Sequence, residues 1–292
     1  MNYWNLDINS LPSRGRYYNP KARIEIKPLT VGDVKFLTTM NPGNAEEMLD
    51  RVLENCLKLT DLEYLNILRA DRTYLLFWVR VNSFIASNGY DIEITCPVCG
   101  EKISKRVKLE NLDVKYIEDT FANSIEFTDE EGEVHNIDFV MPTIRDGYRT
   151  IPEDQEIERI VNYTDILRYI PHSCDPVFYI NHIDAMSYAK LINMVNNSLY
   201  GIKSEVALYC NKCNNPVHIE LDLSDSNILG NMNLYEILQT QLQISKYTHF
   251  QIPDDMPYTE VEIMLEVVKE MLKKEEEERE KAKQGKSFAS FR

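Results

Sequence analysis

The chain has 292 residues, 43% of them hydrophobic, and a formal net charge of −15. That length and composition can bury one large core or two modest ones. The acidic balance opposes generic binding to DNA or RNA, whose affinity comes largely from phosphate neutralisation. There is no run of about eighteen apolar residues, so no transmembrane helix is expected. The opening Met1-Asn2-Tyr3-Trp4-Asn5 lacks the basic and apolar regions of a signal peptide.

Up to about Pro28 the pattern is extended, with a turn at Leu11-Pro12-Ser13-Arg14-Gly15 and strand-like alternation from Ala22 to Ile26. Leu29-Thr30 starts a helical region. Thr30 with Asp33, Asn44 with Glu47 and Thr60 with Glu63 each offer a capping side chain and an acid three residues on, which predicts three helix starts. Met48, Leu49, Val52, Leu53, Cys56 and Leu57 form an apolar stripe on the second helix, so Cys56 reads as a small buried hydrophobe. Asp71 opens a denser helix through Leu75, Leu76, Phe77, Trp78, Val81, Phe84 and Ile85, with Asn88-Gly89 as a left-handed cap.

A period-two hairpin follows, and after it Ile125–Thr128 and Val134–Met141 predict a second one around the acidic turn Asp129-Glu130-Glu131-Gly132. Cys174 sits in a turn-like stretch and is assigned nothing. From Asp184 the chain reads as helical again, through Tyr188, Ile192, Val195 and Leu199, and Gly201 closes it. Asn233–Lys246 is amphipathic. After the breaker Pro253-Asp254-Asp255-Met256-Pro257, a helix over Tyr258–Lys283 carries a narrow seam of Val261, Leu265, Val268 and Leu272. Such a seam docks on a partner helix or on the chain's own domain.

One motif occurs twice. Ile92–Cys99 and Val206–Cys213 both read as a strand running into a Cys-x-x-Cys knuckle, and each knuckle is followed by apolar or long-stemmed residues on alternate positions: Ile103, Lys105, Val107, Leu109 and Val217, Ile219, Leu221, Leu223. A redox Cys-x-x-Cys opens a helix that lowers the thiol pKa, whereas a strand follows here both times. Cys96, Cys99, Cys210 and Cys213 therefore predict one tetrahedral, all-thiolate structural zinc (Zn2+) site, the alternatives being separate half-sites or idle thiols. His218 lies between Val217 and Ile219 and reads as a surface imidazole rather than a ligand. Six cysteines, four of them in knuckles, suit a reducing compartment better than a disulfide framework.

Enzyme signatures are missing: there is no glycine-rich phosphate loop, no Gly-x-Ser-x-Gly elbow and no His-Glu-x-x-His helix. The five histidines have no metal-ligand spacing. The expected architecture is α+β, a mainly helical core with two zinc-ribbon-like β-hairpins and a long C-terminal helix. It divides into an extended arm (1–28), a helical region with the first knuckle hairpin (29–111), a β-hairpin and polar insert (112–183), a helix, second knuckle hairpin and helix (184–250), and an amphipathic helix with tail (251–292).

The order Leu11-Pro12-Ser13-Arg14-Gly15-Arg16-Tyr17-Tyr18, Ile24-Glu25-Ile26-Lys27-Pro28-Leu29-Thr30, Asp71-Arg72, Leu75–Arg80 and Thr95-Cys96-Pro97-Val98-Cys99-Gly100 resembles the baseplate proteins of T-even-type contractile-tailed bacteriophages over roughly the first 110 residues. The resemblance implies a non-enzymatic structural or assembly protein of the baseplate hub. Its partners would be other baseplate and tail proteins such as hub and tape-measure subunits. Nucleic acid, membrane and small-molecule substrates are not expected. The protein would reside in the virion tail baseplate, or in the host cytoplasm during assembly if it is a chaperone absent from the mature particle. A zinc-ribbon nucleic-acid binder using Lys102, Lys105 and Arg106 is the reading of another class. Within a hub, Arg14, Arg16, Tyr17 and Tyr18 are expected partner contacts because Arg and Tyr are enriched at interface hot spots. An arm packed over the chain's own hairpins is the alternative.

Overall fold

A computed structural model describes residues 3–85, 89–118, 124–128, 131–138, 140–147, 185, 186, 189, 200–229 and 232–289. The expected helix over 184–199, most of the polar insert and Cys174 lie outside the described residues, apart from isolated positions. The fold is α+β. Strands β1 (Trp4–Leu6), β2 (Arg23–Ile26) and β3 (Leu57–Thr60) form an antiparallel sheet in that order. Helices α1 (Val31–Leu37), α2 (Ala45–Cys56) and α3 (Arg69–Ser83) accompany it. The main core gathers Leu11, Ile24, Ile26, Leu29, Leu49, Leu53, Ile67, Leu75 and Leu76, all fully buried.

The Thr30 side chain accepts from the Asp33 N–H at 3.1 Å, and Asp33 accepts from the Thr30 N–H at 2.9 Å, completing the expected capping box. Asn44 stands at the start of α2 without a side-chain cap, because its carboxamide oxygen accepts from the Asn41 N–H instead, at 2.7 Å. The third expected start is corrected. Thr60 ends β3 opposite Arg23, since Leu57 and Leu59 alternate into the sheet, and Glu63 precedes only a single 3-10 turn over Tyr64–Asn66. The expected cap at Gly89 is corrected too: α3 ends at Ser83, and Gly89 opens the next strand with its Cα paired to Lys108.

Beyond α3 come hairpin β4 (Gly89–Thr95)–β5 (Lys102–Lys108), the short β6 (Val114–Lys115) and hairpin β7 (Ser124–Thr128)–β8 (Val134–Asp138). Helix α4 (Ile144–Gly147) follows. Strand β9 (Gly201–Ile202) pairs antiparallel with β6, so it leads the second knuckle hairpin, β10 (Glu205–Tyr209)–β11 (Pro216–Glu220), back beside the first. Val107, Leu208 and Leu221 pack together with Ile92, Ile94, Val206 and Ile219, so the two hairpins share one apolar interface. Helices α5 (Asp225–Ile228), α6 (Leu234–Thr248) and α7 (Tyr258–Ala289) complete the chain. Among the described residues no helix is long and apolar enough to cross a membrane.

Two polar features lock this arrangement. Buried Asp71 accepts from the Ser13 N–H (2.9 Å), the Ser13 hydroxyl (2.5 Å) and the Tyr18 hydroxyl (2.6 Å), while the Tyr18 oxygen accepts from the Leu68 N–H at 3.0 Å. Arg72, also buried, pairs with Asp50 and, at 2.9 Å, with Asp225 on α5. The segment before α7 is stitched to α1: the Val31 N–H donates to the Met256 carbonyl and the Tyr258 N–H to the Leu29 carbonyl, each at 2.9 Å.

Candidate metal centre

Each knuckle is a turn whose backbone folds around its own first cysteine. In the first, the Cys96 N–H donates to the Glu101 carbonyl (2.8 Å) and the Gly100 N–H to the Cys96 carbonyl (3.0 Å). In the second, the Cys210 N–H donates to the Asn215 carbonyl (3.0 Å) and the Asn214 N–H to the Cys210 carbonyl (2.9 Å). The two turns thus repeat each other bond for bond. Both need a left-handed residue right after the second cysteine, and both have a type that tolerates it: Gly100 at φ 72° and Asn214 at φ 56°.

This geometry aims N–H groups at sulfur. The Cys99 and Val98 N–H groups hydrogen-bond Cys96, and the Cys213 and Lys212 N–H groups hydrogen-bond Cys210. They favour the thiolate, drawing the Cys96 pKa down and that of Cys210 down to about 6. The Glu101 N–H also draws Cys99 down, yet burial and the neighbouring sulfurs push it up to about 12. Four adjacent sulfurs resist full ionisation unless a cation stands among them.

The two knuckles meet. All four Sγ atoms lie within 4.8 Å of one another, with Cys96 to Cys213 at 3.7 Å and Cys99 to Cys210 at 3.6 Å. A tetrahedral ion with metal–sulfur bonds of about 2.3 Å sets sulfur–sulfur edges of about 3.8 Å. The donor set and its spacing therefore fit a four-coordinate metal ion. Cys96 and Cys210 are buried, Cys99 is half-buried and Cys213 is exposed, and Ile103, Ile94 and Val217 pack around the sulfurs. With all four positions supplied by protein, the site has no place for a substrate. His218 lies outside the cluster and bonds Glu205 at 2.8 Å on the surface. Cys56 is fully buried on α2, its thiol pushed up to about 12 by burial.

The other residues expected to act in binding are placed as follows. Tyr18 is turned inward onto Asp71, and burial, then the Asp71 charge, holds its pKa well above the usual range. Arg14 lies over the Tyr116 ring at 5.1 Å, and Arg16 donates to the Glu118 carbonyl at 2.6 Å. Tyr17 is exposed. The α7 seam is turned inward: Val261 and Val268 are buried with Val31 and Ile244, while Leu265 and Leu272 are half-buried on the same cluster. The reason is the breaker, which folds α7 back on α6 so that the chain itself fills the seam. Tyr18, Val261 and Val268 consequently present no surface to a partner.

Sequence reasoning missed the backbone donors of Val98 and Lys212 and the anchoring role of Asp71. The glycine and asparagine that follow the second cysteine of each knuckle were the available signal for the former. An acid two residues into a helix gave no hint of the latter.

These features define a class: an α+β protein in which two hairpins distant in sequence meet at four cysteine sulfurs able to hold a metal ion. The family described as T4 bacteriophage base plate protein matches residues 5–185, more than half of the chain. The chain belongs to this family of T4-type phage baseplate proteins, and its role is accordingly structural and baseplate-associated. No curated protein and no solved structure matches it.

Proposed function

We propose that this protein is a non-enzymatic structural subunit of the hub of a contractile-tail baseplate, working through protein–protein contacts. The observation that carries this reading is the family match over residues 5–185, which spans the arm, the helical body and the first knuckle. The metal is zinc, held by Cys96, Cys99, Cys210 and Cys213 in a paired zinc-ribbon arrangement. Its part is to fix the segments 29–111 and 184–250 as one unit around a mainly helical core. Arg14, Arg16 and Tyr17 contact neighbouring tail proteins, the exposed guanidinium and phenol groups supplying hot-spot chemistry.

Mass spectrometry of purified tails should find the chain at a small symmetric copy number. Its absence from finished tails, together with recovery alongside tape-measure or hub proteins in infected lysate, would replace the subunit with an assembly chaperone. Elemental analysis should give one zinc per chain, and none in Cys210→Ser. A nucleic-acid role is disfavoured by the net charge of −15, which opposes the phosphate neutralisation such binding draws on. Salt-sensitive DNA binding abolished by Lys102, Lys105 and Arg106 substitutions would revive it.

A further inference from the structure

The chain's two tryptophans meet at the surface. Trp4 on β1 is 52% exposed, and its ring lies 5.9 Å from that of Trp78 on α3, tilted by 56°. The pair stands between two clefts. Trp4 lines one of about 520 Å³ together with Lys27, Pro28, Asp255, Pro257 and Glu260, the Lys27 ammonium lying over the Tyr3 ring at 5.6 Å. Trp78 lines the other, of about 200 Å³, with Tyr74, Phe77, Val81, Leu112 and the carboxylate of Glu110. Asp255 and Glu260 make no side-chain ion pair or hydrogen bond among the described residues. Exposed Trp4 against half-buried Trp78, an apolar cleft, and two carboxylates facing the single cation of Lys27 call for a ligand with aromatic anchors and positive charge.

The same sequence contains one. Residues 281–292 carry Lys281, Lys283, Lys286 and Arg292, no acidic residue, and two aromatic rings, Phe288 and Phe291. As far as Ala289, α7 carries them away from the clefts of their own chain. Helix α7 runs unbroken over Tyr258–Ala289, and Glu260 lies at its start. At 1.5 Å per residue, Lys281 stands about 32 Å along the axis from Glu260.

We propose that residues 281–292 of one copy dock on the Trp4–Trp78 surface of the next, with a phenylalanine in the apolar cleft and the lysines facing Asp255 and Glu260. The contact is heterologous, tail to cleft, so it closes into a ring or propagates along a line of copies. It goes beyond the baseplate reading and requires neither the metal nor another tail protein.

The test uses the full chain in sedimentation velocity, with intrinsic emission followed in parallel, because the only two tryptophans lie at the proposed contact. Wild type should associate as concentration rises, less so in high salt, with a blue shift of emission. Phe288→Ala/Phe291→Ala and Asp255→Lys/Glu260→Lys should each weaken self-association by roughly tenfold or more. Mixed together they should pair one to one, since each keeps the half the other lacks. A natively folded wild type that stays monomeric at all concentrations overturns the proposal. So does association that leaves the emission unchanged, or a mixture that fails to pair.

Discussion

Asp71 ties the N-terminal arm to the head of α3. Tyr18→Phe keeps the buried ring and removes its hydroxyl, leaving the Leu68 N–H unpartnered and Asp71 short of one donor. A loss of about 1–3 kcal/mol in urea unfolding is expected, and an unchanged midpoint would show that the arm is held by packing alone. Burial also raises the Asp71 pKa above its usual value, against the pull of its hydrogen bonds to Ser13 and Tyr18. The folded state therefore holds this proton more tightly than the unfolded state. Its stabilising contribution is complete below the unfolded value of about 3.9 and is lost as pH rises through the folded value. Relative to Asp71→Asn, wild type should lose stability as pH rises across that window, and a gain would contradict the assignment. Arg72 is a harsher case. Arg72→Met leaves buried Asp50 without its cation, a cost of roughly 3–5 kcal/mol in the same assay.

At the scale of elements, turns are decided by what a Cβ would meet. Gly100 has φ 72° and nothing within 4 Å of an added Cβ, so Gly100→Ala should cost about the 1–2 kcal/mol of the left-handed conformation alone. Gly15, at φ 68°, would drive a Cβ to 2.2 Å from Ile8 Cγ2, so Gly15→Ala should cost clearly more. Equal losses in thermal melts would refute the comparison. Element identity followed the same contest between local signal and surroundings. The Thr30–Asp33 box held because its partners are neighbours in sequence. Thr60–Glu63 offers the same letters, yet β3 is claimed by β2, a pairing that spans more than thirty residues and leaves no local trace.

At the largest scale, a metal ion on the four cysteines would join Cys99 to Cys210, 111 residues apart. A cross-link closing a loop of that order restricts the unfolded chain by about 4–5 kcal/mol in the entropic picture. The sulfurs sit in their own small apolar cluster, separate from the main core. Chelation should therefore release the hairpin pair first, seen as fast amide exchange in β4, β5, β10 and β11, while α2 and α3 stay protected. Simultaneous loss of protection in all of these elements would mean that the core depends on the metal as well.

The knuckles, their repeat and the family are legible in the string alone, because ligand spacing, period-two alternation and motif order are local properties. The string also marks α7 as a helix with a seam. That the seam closes on α6, that Tyr18 turns inward to Asp71, and that Trp4 meets Trp78 emerges first in the folded chain. Each of those depends on which distant segment arrives at a given face. That choice belongs to the packing of the whole chain, since an apolar stripe or a phenol is satisfied equally well by its own chain or by another.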